Sequence, residues 1–168
     1  MRFDYVWGTG RPLRRLAWLA ILAWLPGPLL AAADAPLTPA QDLRRDAAQM
    51  RAQKVPMLIL FSREGCNWCV QARRDYLVPM QRESAARRRV LIREVDVDQD
   101  APLVDFAGRK TTHRDFGTEE KARFTPTVIL YGPDGARLAD PLVGMAIPDF
   151  YGTYLERAVD QSVDKLHK

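Results

Sequence analysis

The chain has 168 residues, enough for one domain of ordinary size and too few for two. Hydrophobic residues at 47% and charged residues at 27% match globular averages, which excludes a disordered, collagen-like or low-complexity protein. The net charge of +4 is concentrated at the N-terminus, where residues 1–33 carry Arg2, Arg11, Arg14 and Arg15 against Asp4; the 21 basic and 20 acidic residues that remain leave no electrostatic footprint for nucleic acid.

Arg11, Arg14 and Arg15 precede an unbroken apolar run over residues 16–25, then Pro26-Gly27-Pro28 and a small-residue stretch ending Ala31-Ala32-Ala33. This is the order of a secretory signal: basic segment, apolar segment, small-residue cleavage site. Ten helical residues span about 15 Å, half the hydrocarbon thickness, and the Pro-Gly-Pro stops any extension, so an uncleaved membrane anchor is the weaker reading. The expectation is that residues 1–33 are removed and that residues 34–168 form one domain in the periplasm, outside the reducing cytosol.

Along that domain, Thr38-Pro39-Ala40-Gln41 has the residue types of a helix N-cap, and the spacing of Leu43, Ala47 and Met50 predicts a first helix to about Gln53. Residues 55–62 are a short apolar run of the kind found in a strand buried on both faces. Arg63-Glu64-Gly65 turns the chain into a helix from near Cys66, with Pro79 bending or ending its first part and a second part reaching about Arg89. Residues 90–97 predict a second strand parallel to the first. Thr112 caps a short helix holding Phe116, and residues 127–131 and 136–143 predict two strands joined by Gly132-Pro133-Asp134-Gly135. An amphipathic helix from about Pro148 presents Tyr151, Tyr154, Leu155, Ala158, Val159 and Leu166 on one face. The order predicts an α/β/α sandwich around a four-stranded mixed sheet.

Cys66 and Cys69 are the only cysteines, spaced C-x-x-C with a strand behind and a helix ahead. A helix N-terminus offers unsatisfied N–H groups and about half a positive charge, which favours the Cys66 thiolate, while Cys69 falls one turn inside. Cys66 is therefore the candidate nucleophile and Cys69 the resolving thiol. A structural staple between such near neighbours stabilises little, about 2 kcal/mol for four residues against about 3 for fifteen. Structural zinc would need His113 and His167 as further ligands, and covalent haem would need a histidine where Val70 stands. A Cu(I)-binding metallochaperone module is the main alternative of a different class, although no Met or His cluster accompanies the thiols. A non-redox interaction domain is the other. No cofactor and no resident metal are expected.

Leu60-Phe61-Ser62 before Cys66-Asn67-Trp68-Cys69, then Val95-Asp96-Val97-Asp98, Thr125-Pro126-Thr127, Asp134-Gly135 and Gly144 together resemble the thioredoxin superfamily. Gly65 before the first cysteine, Asp105-Phe106-x-Gly108 and Thr111-Thr112 most resemble its exported members associated with sulfur oxidation. The resemblance implies a thioredoxin fold, a reversible Cys66–Cys69 disulfide and a cis bond between Thr125 and Pro126 facing it. It further implies a thiol:disulfide oxidoreductase, a reductase or electron carrier rather than an oxidant. Its partners would be protein disulfides and a membrane-spanning thiol donor, and the protein would act as a monomer.

A cis bond would expose the Thr125 backbone beside Cys66 to pair with an extended client segment. Trp68 is the only tryptophan beyond residue 33 and is expected to contribute to the client-facing surface. Thioredoxins usually hold a buried Asp six residues before the first cysteine, and Leu60 stands there; Glu94 is the candidate to take the Cys69 proton, against a plain surface carboxylate paired with Arg93 or Lys54. Arg87-Arg88-Arg89 reads as a solvated helix end, and His113 as a surface residue near an insertion spanning residues 100–117. Lowering a thiol from about 8.5 to about 7 raises its thiolate fraction roughly 16-fold at pH 7 but costs about fivefold in nucleophilicity, so positioning must supply most of the rate.

If residues 1–33 are an export signal, N-terminal sequencing of protein recovered from the periplasm of an expression host will begin at Asp34; retention of Met1 there would overturn the cleavage reading.

Overall fold

The computed structural model describes residues 36–168; the expected signal segment lies outside them. Its elements are α1 (Leu43–Gln53), β1 (Met57–Ser62), α2 (Asn67–Gln71), a π-helical stretch (Ala72–Leu77), α3 (Val78–Arg82), α4 (Ser84–Arg87), β2 (Leu91–Asp96), β3 (Pro102–Val104), β4 (Lys110–Thr112), α5 (His113–Glu119), β5 (Thr127–Tyr131), β6 (Leu142–Val143) and α6 (Pro148–Leu166). The main sheet has the order β2-β1-β5-β6. β1 runs parallel to β2 and antiparallel to β5, with Leu60 opposite Glu94 on one side and Val128 on the other.

All six residues of β1 are buried, as an apolar run in a central strand requires. Because side chains alternate across a strand, β1 feeds two cores. Leu58 and Leu60 pack with Val128, Leu130, Leu77 and Leu155. Met57, Ile59 and Phe61 pack with Leu43, Met50, Ile129 and Phe116, and the Phe61 and Phe116 ring centroids lie 6.0 Å apart. α1 and α5 thus cover one face of the sheet, and the α2–α4 run with α6 covers the other. The four-stranded mixed sheet is the one expected.

Several boundaries differ from the sequence expectation for identifiable reasons. The first helix begins at Leu43, not at Thr38, because the Asp42 carboxylate caps it by accepting from the Arg45 N–H at 2.8 Å. Residues 38–40 are instead extended along the open edge of β2, with the Ala40 N–H donating to Glu94 O and the Glu94 N–H to Thr38 O. The helix after Cys69 does not end at Pro79 but widens into the π-helical stretch ahead of it. A proline cannot donate to the carbonyl four residues back, and the wider turn before it accommodates that loss. Beyond Pro79 the helix breaks at Glu83, whose backbone is extended, before the single turn of α4. Arg89, at the end of the basic cluster, reaches Glu156 and Asp160 of α6.

The strand expected over residues 136–143 is reduced to Leu142–Val143, with Arg137 making an isolated bridge to Tyr131. The small β3–β4 hairpin, within the 100–117 insertion, carried no period-2 pattern long enough to signal it. Gly117 of α5 lies so close to the sheet that an added Cβ would sit 2.7 Å from Val97 Cγ1.

His113 is not on the surface. It is buried at the start of α5, where its Nδ1 accepts from the Asp96 N–H at 3.1 Å and its Nε2–H donates to Ala40 O at 2.7 Å. One imidazole thereby ties β2, the 38–40 segment and α5 together. Reading it as exposed from its polar neighbours missed that an N1 side chain of a helix packed on the sheet faces inward.

Phe61→Ala, which empties a fully buried site against Phe116, is expected to cost about 3–5 kcal/mol in equilibrium urea unfolding; a loss below about 1 kcal/mol would contradict the packing described.

Candidate redox site

The end of β1 places the site. After Ser62 the chain leaves the sheet and turns at Gly65, whose φ of +69° belongs to the left-handed region that favours glycine. Cys66 then takes an extended conformation (φ −86°, ψ 99°) as the N-cap of α2, and its sulfur accepts from the Cys69 N–H at 3.1 Å. The helical run that starts there continues unbroken through residue 82. Cys69, one turn in, is fully buried, whereas Cys66 is half-buried. The two are joined in a disulfide with Cα atoms 5.2 Å apart, so the C-x-x-C spacing closes a bond without unwinding the helix.

The Thr125–Pro126 peptide bond is cis. Thr125 Oγ1 lies 3.6 Å from Cys66 Sγ, within reach of a weak O–H···S hydrogen bond. Pro126 O accepts from the Gly144 N–H at 2.7 Å, which pins the loop to the end of β6. Neither the N–H nor the C=O of Thr125 has a backbone partner among the described residues. An edge of free backbone therefore lies beside the half-buried sulfur of Cys66.

Two large apolar side chains next to these groups in the chain are uncovered: Phe124, before Thr125, is 72% exposed, and Trp68, between the cysteines, 50%; Val70, Val143 and Ile147 are exposed as well. Phe124 was not singled out by the sequence reading; its place next to the Thr-Pro pair was the available signal. Tyr151 anchors the loop after β6 against the helix, packing on Ala72 and Met145 with its ring centroid 5.2 Å from that of Tyr76. Burial first, and the neighbouring Tyr76 second, push its phenol up to about 12.

Glu94 lies on β2 opposite Leu60, with a side chain 14% exposed. Its partners are neither Arg93 nor Lys54. Arg73, from the π-helical stretch, donates to it at 2.5 Å, and Ser62 Oγ donates at 2.7 Å. Arg93 is bound elsewhere, paired with Asp46 of α1 at 2.6 Å. The Ser62–Glu94–Arg73 cluster links the end of β1, the edge strand and the cysteine-bearing helix on one face of the sheet. Among the described residues no three His, Cys, Asp or Glu side chains converge as a metal site would require, and no helix is long and apolar enough to cross a membrane.

Residues 43–158 match the family pattern of a thioredoxin-like domain. No curated protein matches the chain. Among solved structures, the oxidised form of mitochondrial thioredoxin 3 from Saccharomyces cerevisiae is 19% identical, with a TM-score of 0.50 over 74% of this chain and 93% of that one. Fasciola hepatica thioredoxin is 14% identical, with a TM-score of 0.52 over 75% and 99%. The periplasmic thioredoxin SoxS from Paracoccus pantotrophus, in its reduced form, is 21% identical, with a TM-score of 0.44 over 64% and 98%. The first two likenesses show a shared fold; none of the three bears on compartment or client.

Because Trp68 lies between the two cysteines and is half exposed, opening the disulfide with dithiothreitol is expected to change its emission intensity. The same treatment of a Cys66→Ser variant should leave the emission unchanged; equal responses in both proteins would mean that the indole does not sense the bond.

Proposed function

The chain belongs to the thioredoxin-like family, and on that footing we propose that it is an exported thiol:disulfide oxidoreductase, working as a reductase or electron carrier on protein disulfides. The observation that carries the reading is the Cys66–Cys69 disulfide at a helix N-terminus, its outer sulfur beside the unpaired backbone of Thr125. A staple of this span stabilises little, whereas a bond set at the surface with a buried second sulfur is arranged for exchange.

In this reading the reduced protein presents Cys66 as a thiolate, favoured by the Cys69 N–H and the helix terminus. The thiolate attacks one sulfur of a client disulfide; that S–S bond breaks, the other client sulfur leaves as a thiolate and takes up a proton, and a Cys66–client disulfide forms. Cys69 then gives up its proton and attacks Cys66 Sγ. The Cys66–Cys69 bond forms, and the second client sulfur departs and is protonated. Two electrons pass from the protein dithiol to the client, and a dithiol donor protein, in this reading one that spans the membrane, restores them. Trp68, Thr125 and Pro126 form the client-facing surface, with the Thr125 backbone pairing to an extended client segment.

The proton released by Cys69 needs an acceptor, and Leu60 provides none. We assign that role to Glu94, which faces the side of the sheet on which the cysteine helix packs and is steadied by Arg73 and Ser62. Export rests on the N-terminal pattern of residues 1–33, and the sulfur-oxidation setting rests on motif order alone; both belong to the proposal.

Insulin reduction driven by dithiothreitol tests the class of activity. The wild type should accelerate precipitation, Cys66→Ser should abolish the acceleration, and Cys69→Ser should accumulate a Cys66–client disulfide detectable by mass. Equal rates for wild type and Cys66→Ser would leave the interaction-domain reading in its place. Glu94→Gln should slow the resolving step by about tenfold or more and alter its pH profile; an unchanged profile would remove Glu94 from proton transfer.

A further inference from the structure

The two loops that flank the disulfide on the side of the cis peptide carry three cations without carboxylate partners among the described residues, against one exposed acid, Glu64. Arg63 precedes the Cys66 turn, and Arg123 and Lys121 precede Phe124 and Thr125; all three are exposed. The Arg63 guanidinium donates to Arg123 O at 3.3 Å, joining the two loops, yet neither arginine has a carboxylate partner among the described residues, and Lys121 has none either. Arg74, Arg89, Arg109, Arg114 and Arg137 each hold an Asp or Glu, whereas Arg44, Arg45, Arg87, Arg88 and Arg157 are exposed cations in no ion pair among the described residues; what sets Arg63 and Arg123 apart is their place beside Cys66 and Thr125. Arg63 and Arg123 line a shallow groove of about 410 Å³ that also contains Arg114, already bound to Asp100. Asp98 is the one acidic residue in its wall.

Arg63 stands three residues before Cys66 and Arg123 two before Thr125, so a segment paired with the free backbone of Thr125, advancing about 3.3 Å per residue, brings the neighbours of its reacting cysteine within reach of these long side chains. Like-charged side chains there would be repelled, and carboxylates would find two guanidinium groups with vacant donors. Phe124, beside the groove, offers an apolar face to the same segment.

We propose that the Arg63–Arg123 groove selects clients, directing the protein toward cysteines set in acidic polypeptide segments. This rests on the oxidoreductase reading above. Selection by exposed charges acts mainly through encounter and transition-state attraction, so it is expected to be strong at low ionic strength and to fade with salt.

The test uses two synthetic peptide disulfides identical except for the residues on either side of the cysteine, Asp in one and Lys in the other. Stopped-flow Trp68 fluorescence gives the rate constant for oxidation of the reduced protein by each. At about 0.01 M ionic strength the acidic peptide should react roughly tenfold faster, and the ratio should fall to within about twofold in about 1 M salt. In an Arg63→Ser/Arg123→Ser variant the ratio should collapse toward unity, and in Arg63→Lys/Arg123→Lys it should be largely kept, since lysine preserves the charge. Taking the ratio within each variant cancels any general loss of reactivity. A ratio near one in the wild type, a preference for the basic peptide, or a ratio unaffected by the serine substitutions would overturn the inference. The uncharged 2,2′-dithiodipyridine separates the two levels: a wild type that reacts with it but does not discriminate between the peptides fails only the selection step. A reduced protein inert to it as well as to both peptides fails the oxidoreductase reading, and the selection inference falls with it.

Discussion

Burial of β1 on both faces is the constraint on which the site depends. Its six residues contribute alternately to two cores, and it is bonded to β2 along one edge and to β5 along the other. A strand held in this way cannot shift by one residue without exchanging the contents of both cores. The position of Ser62 is therefore set, and with it the turn at Gly65 and the sulfur of Cys66. The opposing loop is positioned by the same strand, since β5 pairs with β1 and begins directly after the cis Thr125–Pro126 bond. Two loops distant in sequence thus meet within 3.6 Å because their strands are neighbours.

The polar groups beneath the helix show how the fold accommodates charge near an apolar interior. Leu60 keeps the position six residues before Cys66 wholly apolar and contributes to the core. A carboxylate on that face stands one strand over, on Glu94, where it remains partly exposed and satisfied by Arg73 and Ser62. An unpaired carboxylate at the centre of the sheet would carry a large desolvation penalty. At the edge strand, with a guanidinium supplied by the helix, the same charge is held at lower cost. The pair also joins β2 to the π-helical stretch, so the helix that carries the cysteines is tied to the sheet by polar as well as apolar contacts.

Around the disulfide the surface divides by chemistry. Trp68 between the cysteines and Phe124 before Thr125 are uncovered apolar groups, and Arg63 and Arg123 add positive charge on the side of the cis peptide. Tuning of thiol acidity yields only a few-fold in rate, because nucleophilicity falls as acidity rises. In the proposed reading, discrimination between clients falls to these side chains and to the backbone of Thr125.

Much of this was legible in the residues alone. The apolar run at β1, the Cys-x-x-Cys pair between a strand and a helix, the Thr112 cap and most of the face of α6 are local patterns, and local sterics and periodicity determine them; Tyr154, expected on that face, is instead 41% exposed. The cis bond came from resemblance, because spacing cannot distinguish it from an ordinary strand-start proline. Other features were decided by contacts that no window of sequence contains. Thr38 had the chemistry of a cap, but the open edge of β2 drew residues 38–40 into an extended pairing and left capping to Asp42. His113 looked like a surface residue until packing of α5 on the sheet turned it inward to meet Asp96 and Ala40. Glu94 was identified as a candidate acid, yet its partner Arg73 lies 21 residues away on a helix whose rotation is set by the π-helical turn. The sequence by itself determined which residues form strands and helices and which two carry sulfur chemistry, since those follow from propensity and period. Only the tertiary structure decided which distant side chains face one another across the sheet and which cations stand without partners beside the disulfide, because those depend on strand order and helix rotation.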